Sequence, residues 1–256
     1  MKQGRWMLLC LLGVCLSGWT APVVRLAGDV WPPYTDSRLP GDGLAISLVR
    51  TALERAGYRV DYEEMPWPRA VLSLERGQID GLSDWHSGQR SHMALHSTPY
   101  LYNHLRWIVR ADDPITASGL AGKRVALVRG YVYTVVPEAL AGMDRVYVNS
   151  FVSALRMLEA GRVDLALEDS RTARFHMAHD PELSPEKFRL LPGNFSRNGL
   201  SLVIRQSHPQ AERIIADFER EIAEMRVEGT FDRLIERYDP HGAAQPGERL
   251  AAEPAP

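Results

Sequence analysis

Residues 74–84, LERGQIDGLSD, and residues 158–169, LEAGRVDLALED, share the frame Leu-Glu-x-Gly-(Gln/Arg)-(Ile/Val)-Asp at an offset of 84 positions. The chain is therefore built twice. In each copy a helical pattern ends at a glycine able to take positive φ, and an apolar strand follows. Each strand then finishes in acid, Asp84 in the first copy and Glu168 with Asp169 in the second. Ligands of open α/β sheets collect outside the carboxyl ends of the strands, so two facing sheets would aim these acids into one crevice.

Working outward from the repeats, residues 23–29 read as a strand, and the loop WPPYTD follows at residues 31–36. Leu44, Leu48, Val49, Ala52, Leu53 and Ala56 recur at helical spacing, and Gly57 closes that helix. A strand at 59–65, a helix at 67–76 and a strand at 79–83 complete βαβαβ, the rhythm of a parallel sheet. After a strand at 105–110, Asp112-Asp113-Pro114 interrupts the pattern and a second series begins. It comprises strands at 124–128, 145–148 and 163–167, with helices from about Tyr131 and over 151–160. Residues 200–205 form an apolar strand suited to crossing back, and residues 209–238 supply one broken helix or two short ones. Residues 241–256, dominated by Gly, Ala, Pro and Glu, are expected to be a disordered tail. The fold class expected is α/β in two lobes, each a mostly parallel sheet flanked by helices. Residues 22–110 with 200–240 make one lobe and 111–199 the other, with two crossing strands as a hinge near Arg110 and Leu200.

Composition narrows the function. At 256 residues, 45% hydrophobic and 24% charged, the chain can bury an ordinary core in two modest lobes. Lys2 and Arg5 precede an apolar run over residues 6–16, too short to span a bilayer but suited to a signal peptide. Residues 1–21 are read as that leader, with Gly18 as a second cleavage candidate, and the mature protein is expected in the periplasm. Setting the leader aside takes the formal charge from -2 to -4, which gives no electrostatic reason to expect nucleic acid. Both cysteines, Cys10 and Cys15, lie in the leader, so thiol chemistry is excluded from the mature chain.

The ordered motifs resemble the bacterial extracellular solute-binding proteins of the polar amino-acid type, family 3, over essentially the whole mature chain. The carriers are Pro32-Pro33-Tyr34 after the first strand, the helix-Gly-strand-Asp unit at residues 74–80, and S-G-Q-R with S-T-P-Y at residues 87–90 and 97–100. Leu120-Ala121-Gly122-Lys123-Arg124-Val125 resembles the family's start of the second lobe. The resemblance implies a type II periplasmic binding protein-like fold that closes on a solute. It assigns Arg90 to the ligand's α-carboxylate, for which a guanidinium offers a planar bidentate fork. It assigns Asp169 to the α-ammonium, while Asp169 as a cap of the helix that follows is the competing reading. It places Trp31 and Trp67 as aromatic walls and Gly130 with the loop after it on the ligand, and Tyr34 of the first loop is a further candidate ligand-binding residue. Two departures stand out. Tyr131 replaces the family's usual threonine, and Asp84-Trp85-His86 stands where small residues are common, so Asp84, Trp85 and Tyr131 join the candidate ligand-binding residues. A cationic or ring-bearing solute is the expectation.

His92 with His96 and His176 with His179 have spacings that can place two imidazoles on one helix face, yet no matching carboxylate completes a ligand set near them, and no metal is expected. No nucleophile elbow, zincin helix, phosphate loop or dinucleotide fingerprint is present. One enzyme reading survives through the family's cyclohexadienyl dehydratase relatives, in which Asp84, Glu168 and Asp169 would do acid-base work. The expectation is binding without catalysis or cofactor, by a monomer, with an ABC permease or a membrane sensor as partner.

Overall fold

The computed structural model describes residues 21–85, 92–129, 140–193 and 195–238. The leader up to residue 20, Arg90, Gly130, Tyr131 with the helix expected there, and the tail at 241–256 lie outside the described residues. The first repeat runs β1 (Val23–Gly28), α1 (Leu44–Arg55), β2 (Arg59–Glu64), α2 (Trp67–Glu75) and β3 (Gly81–Trp85). Two further strands follow, β4 (Ala94–His96) and β5 (Leu101–Arg110). The second repeat runs β6 (Arg124–Val128), β7 (Asp144–Val148), α3 (Phe151–Glu159) and β8 (Leu165–Asp169). The chain continues through α4 (Ser170–His179), β9 (Phe188–Leu190), β10 (Ser196–Arg205), α5 (Ala211–Val227) and α6 (Thr230–Tyr238).

The repeat appears in the sheet as a matched pair of halves. The strand path is β2-β1-β3-β10-β5-β8-β6-β7, so reading inward from either end gives three parallel strands and one antiparallel strand. Strands β5 and β10 are the shared middle. Residues 101–105 of β5 pair with residues 196–200 of β10, after which β10 turns to β3 and β5 to β8. The crossing therefore lies at the start of β5, whereas Arg110 sits at its far end beside Phe188 of β9. Gly199 belongs to this crossing, where a Cβ would stand 2.6 Å from the Pro99 ring.

The frame residues have mechanical duties. Gly77 and Gly161 take φ of 69° and 67° just past α2 and α3, the left-handed geometry that a side chain resists. Asp80 accepts the backbone N–H of Arg25 at 2.9 Å and its guanidinium at 3.1 Å, and it also binds Arg205. Asp164 repeats the arrangement on Arg124, with the backbone N–H at 2.8 Å and the guanidinium on both oxygens. Burial alone would raise the Asp80 carboxyl, but Arg25 and Arg205 hold it below its ordinary value; Arg124 does the same for Asp164. Each aspartate thus staples a repeat's third strand to its first. The staples also explain why β3 and β8 begin two residues later than the apolar pattern places them: Ile79 and Val163 are buried, but they lead into the staple instead of the ladder.

Four apolar clusters fill both faces of the two halves. Leu48, Leu53, Ile214, Phe218 and Phe231 pack α1, α5 and α6 on one face of the first half, and Leu74, Leu82 and Val203 fill the other. In the second half, Leu155, Leu158 and Ala173 of α3 and α4 cover Ala126 and Ala166, while Leu105, Trp107, Leu165 and Leu167 occupy the opposite face. Each such side chain contributes about 1.5–3 kcal/mol on burial. The three-residue β4 and β9, which periodicity did not reveal, only extend the edges of β10 and β5. The final helices are two, with Gly229 at φ 74° between them.

Candidate functional site

The loop after β1 is a tight turn: Trp31 N–H donates to the Thr35 carbonyl at 2.6 Å, and Tyr34 and Thr35 N–H donate to the Trp31 carbonyl. This turn stacks the Trp31 and Tyr34 rings at 4.5 Å, and Trp85 meets Trp31 edge-on at 6.0 Å. Trp85 is anchored in turn by its indole N–H on Asn103 Oδ1 at 2.8 Å. Tyr34 is fully buried, and its hydroxyl donates to Asp169 Oδ1 at 2.9 Å across the two halves.

Asp169 is the N-cap of α4, and its carboxylate is heavily engaged. Oδ1 also accepts the N–H groups of Arg171 and Thr172, at 2.9 and 3.1 Å, and Oδ2 accepts the N–H of His104 at 2.9 Å. With Tyr34 this makes four donors on two oxygens, so the capping duty read from the sequence is realised.

At the repeat offset the counterpart of Asp84 is Glu168, and the two behave alike at one oxygen. Asp84 Oδ1 accepts the following N–H of Trp85 at 2.8 Å, and Glu168 Oε1 accepts that of Asp169 at 2.8 Å. Glu168 lies on the α3/α4 face of β8, one strand period beyond Ala166, and is 1% exposed. Burial pushes its carboxyl up to about 8, with the charge of Asp169 acting in the same direction. Among the described residues, Glu168 Oε2, Trp31 Nε1, Thr172 Oγ1 and Asn103 Nδ2 are buried polar atoms of this region that make no hydrogen bond of ordinary geometry. The Trp31 side chain nonetheless acts on Glu168 as a weak hydrogen-bond donor that favours its ionised form.

In front of these groups opens a cavity of about 430 Å³, lined by Trp31, Trp67, Phe151, Thr172, His176 and Asp29 among others. Trp67 and Phe151 are the first residues of α2 and α3 and stand at equivalent places in the two repeats. Two aromatic side chains thus enter one space from matching helix starts. Ser150 caps α3 by accepting the Ser153 N–H at 3.2 Å, so the positive end of that helix also faces the cavity. Burial lowers the His176 imidazole below its ordinary value and raises the Asp29 carboxyl.

Of the residues singled out from sequence, Trp31 and Trp67 line the cavity. Tyr34, Trp85 and Asp169 form the packed layer joined to Trp31 and Tyr34, and Asp84 is buried beside Trp85. Arg90, Gly130 and Tyr131 lie outside the described residues. Sequence reasoning did not single out Phe151, Thr172, His176 or Asp29 for this site. Carrying Trp67 forward by the repeat offset finds Phe151; Thr172 and His176 are an i,i+4 pair on α4, and Asp29 joins them only in space. Among the described residues no three His, Cys, Asp or Glu side chains converge as a metal site, and no helix is long and apolar enough to cross a membrane.

The sequence profile of the bacterial extracellular solute-binding proteins, family 3, matches residues 25–241. The probable ABC transporter extracellular-binding protein YckB of Bacillus subtilis (strain 168) is 28% identical over 172 residues, which are 63% of this chain and 60% of that protein. The chain thus matches less than two thirds of that relative's length. A crystal structure of the substrate binding protein of an amino acid ABC transporter superposes with a TM-score of 0.69 at 16% identity, covering 86% of this chain and 100% of the other. A histidine kinase sensor domain with similarity to periplasmic binding proteins gives 0.70 at 21% identity, over 84% and 95% of the two chains. These likenesses concern the fold, which is that of the two-lobed type II binding proteins.

Proposed function

We propose that this chain, which belongs to family 3 of the bacterial extracellular solute-binding proteins, works in the periplasm by closing its halves on a small amino-acid-like solute or a cationic or aromatic amine and delivering it to an ABC permease. The observation that carries this reading is the cavity of about 430 Å³ into which Trp67 and Phe151 project from equivalent helices. That volume suits a single small molecule. Residues 22–110 with 200–240 act as one lobe and 111–199 as the other, bending where β5 and β10 pair. Arg90 takes the solute's carboxylate, supported by the start of α3, and Trp31 and Trp67 hold the rest of the molecule against Phe151. Gly130 and Tyr131 complete the closed form.

The test is a thermal-shift panel of amino acids, polyamines and related amines on the purified mature protein. A cognate solute raises Tm by mass action, about 2.7 kcal/mol of added stability at a hundredfold excess over Kd. Arg90→Ala removes the response. No response from any small solute of either charge, or aromatic product formed from prephenate or arogenate, would refute the reading. Loss of uptake on gene deletion supports delivery to a permease; unchanged uptake with solute-dependent binding to a membrane sensor assigns the closed form to signalling.

A further inference from the structure

Resting on the reading that this cleft is the solute site, we infer that Phe151, Thr172 and His176 form the pocket for the solute's side chain, and that this pocket selects an aromatic ring bearing one polar atom, a phenol or an indole. All three residues belong to the second half. Phe151 opens α3, is 4% exposed, and packs in one cluster with Val148, Ala154, Ala173 and Met177. The His176 ring lies 5.9 Å from it with 55° between the planes, and Phe175 meets His176 edge-on at 5.8 Å. Thr172 and His176 stand one turn apart on α4, so both reach the cavity from one face of that helix. The first half supplies Trp31 and Trp67 to the same space. Rings held this way by their neighbours give up little freedom when a solute arrives.

The charges around the cavity argue against an open-chain cation as the side chain. Among the described residues that line it, Asp29 is the one carboxylate, and burial raises it, which makes its charge costlier to keep. Arg129 and the start of α3 bring positive charge to the same boundary. His176 adds none at neutral pH, because burial holds it below its ordinary value. An ammonium or guanidinium at the far end of the solute would therefore meet more positive charge than negative, whereas a neutral ring meets aromatic and apolar faces. One polar atom remains for that ring to find. Thr172 is 1% exposed, and among the described residues its Oγ1 makes no hydrogen bond of ordinary geometry. A hydroxyl so placed is costly until a partner arrives. A phenolic O–H or an indole N–H donates to it, and a phenyl ring leaves it unpaired.

The experiment applies thermal shift and titration calorimetry to the mature protein and to its Phe151→Leu and Thr172→Val variants, with circular dichroism as the check on folding. L-tyrosine, L-tryptophan and tyramine present a ring with a polar atom; L-phenylalanine and phenethylamine present the ring alone; L-arginine, L-glutamine and putrescine present no ring. One of the first three should bind wild type tightest, about tenfold ahead of its ring-only counterpart. Thr172→Val should erase that lead without weakening the ring-only probes. Phe151→Leu should weaken every ring-bearing probe by about two- to tenfold. Thr172→Val keeps the side chain's shape, so the test stays readable if Phe151→Leu does not fold. A tightest solute that is neither phenol nor indole overturns the assignment, as does a lead that survives Thr172→Val or a ring affinity unmoved by Phe151→Leu; in each case the binding function stands. A wild type stabilised by no small solute removes both the assignment and the reading beneath it.

Discussion

Replacing Glu168 by glutamine should make the unliganded protein less sensitive to alkali, and the size of the effect follows from burial. The folded carboxyl titrates at about 8 against an ordinary 4.5, because burial penalises its charged form and Asp169 repels it. Between those two values the folded protein keeps a proton that the unfolded chain has released. The native state binds more protons there, so stability falls as pH rises. Over the whole interval the loss amounts to at most about 5 kcal/mol, at ~1.4 kcal/mol for each pH step. Glutamine has the same shape and cannot ionise. Urea unfolding of both proteins at half-unit intervals from pH 5 to 9 is the assay, and the informative quantity is the difference between them at each pH. Taking that difference cancels the other groups facing the site: Asp169 beside Glu168, Arg106 across the ladder, Asp29 in the loop, and His176 on α4. Buried His176 opposes the trend, since its lowered pKa means that stability is lost as pH falls. The variant should gain on wild type steadily from about pH 5 and level off above about pH 8. Two curves running parallel from pH 5 to 9 would show that Glu168 is ionised throughout, and the reasoning would fail.

Four other substitutions probe the scaffold around the site. Tyr34→Phe deletes the hydroxyl that joins the halves at Asp169 but leaves three donors on that carboxylate, so it should cost about 1 kcal/mol in urea unfolding and enlarge the radius of gyration in X-ray scattering. Asp80→Ala should destabilise by about 2–3 kcal/mol and Asp164→Ala by about 1–2 kcal/mol, because Asp80 is deeply buried and serves two arginines where Asp164 serves one; equal losses would contradict the staple argument. Gly199→Ala forces a methyl to within 2.6 Å of Pro99 at the crossing strands and should cost about 1–3 kcal/mol, read as a lowered Tm.

Much of the fold was legible because its signals are local. The helix patterns, the glycines that end them, and the duplicated frame point to two βαβαβ units, and among the described residues the expected elements lie where periodicity places them to within about four residues. The exceptions have physical causes. Strands β3 and β8 start late because a buried apolar residue and a stapling aspartate precede each ladder. Strands β4 and β9 are three residues long, below the length at which alternation can be read. The crossing lies at the beginning of β5 because pairing with β10 starts at Leu101, and nothing in the apolar run marks where one neighbour gives way to another.

The site divides along the same line. From sequence come the aromatic residues of the first loop, Trp67 at a helix start, and a strand ending in two adjacent acids. Which of those acids is already satisfied is decided by Tyr34 and His104, which lie 135 and 65 residues away along the chain. A residue's type and spacing set what hydrogen bonds it can make, since these depend on its own atoms and its near neighbours. Whether those bonds are already made depends on groups that only folding brings within 3 Å, and no local pattern encodes that proximity.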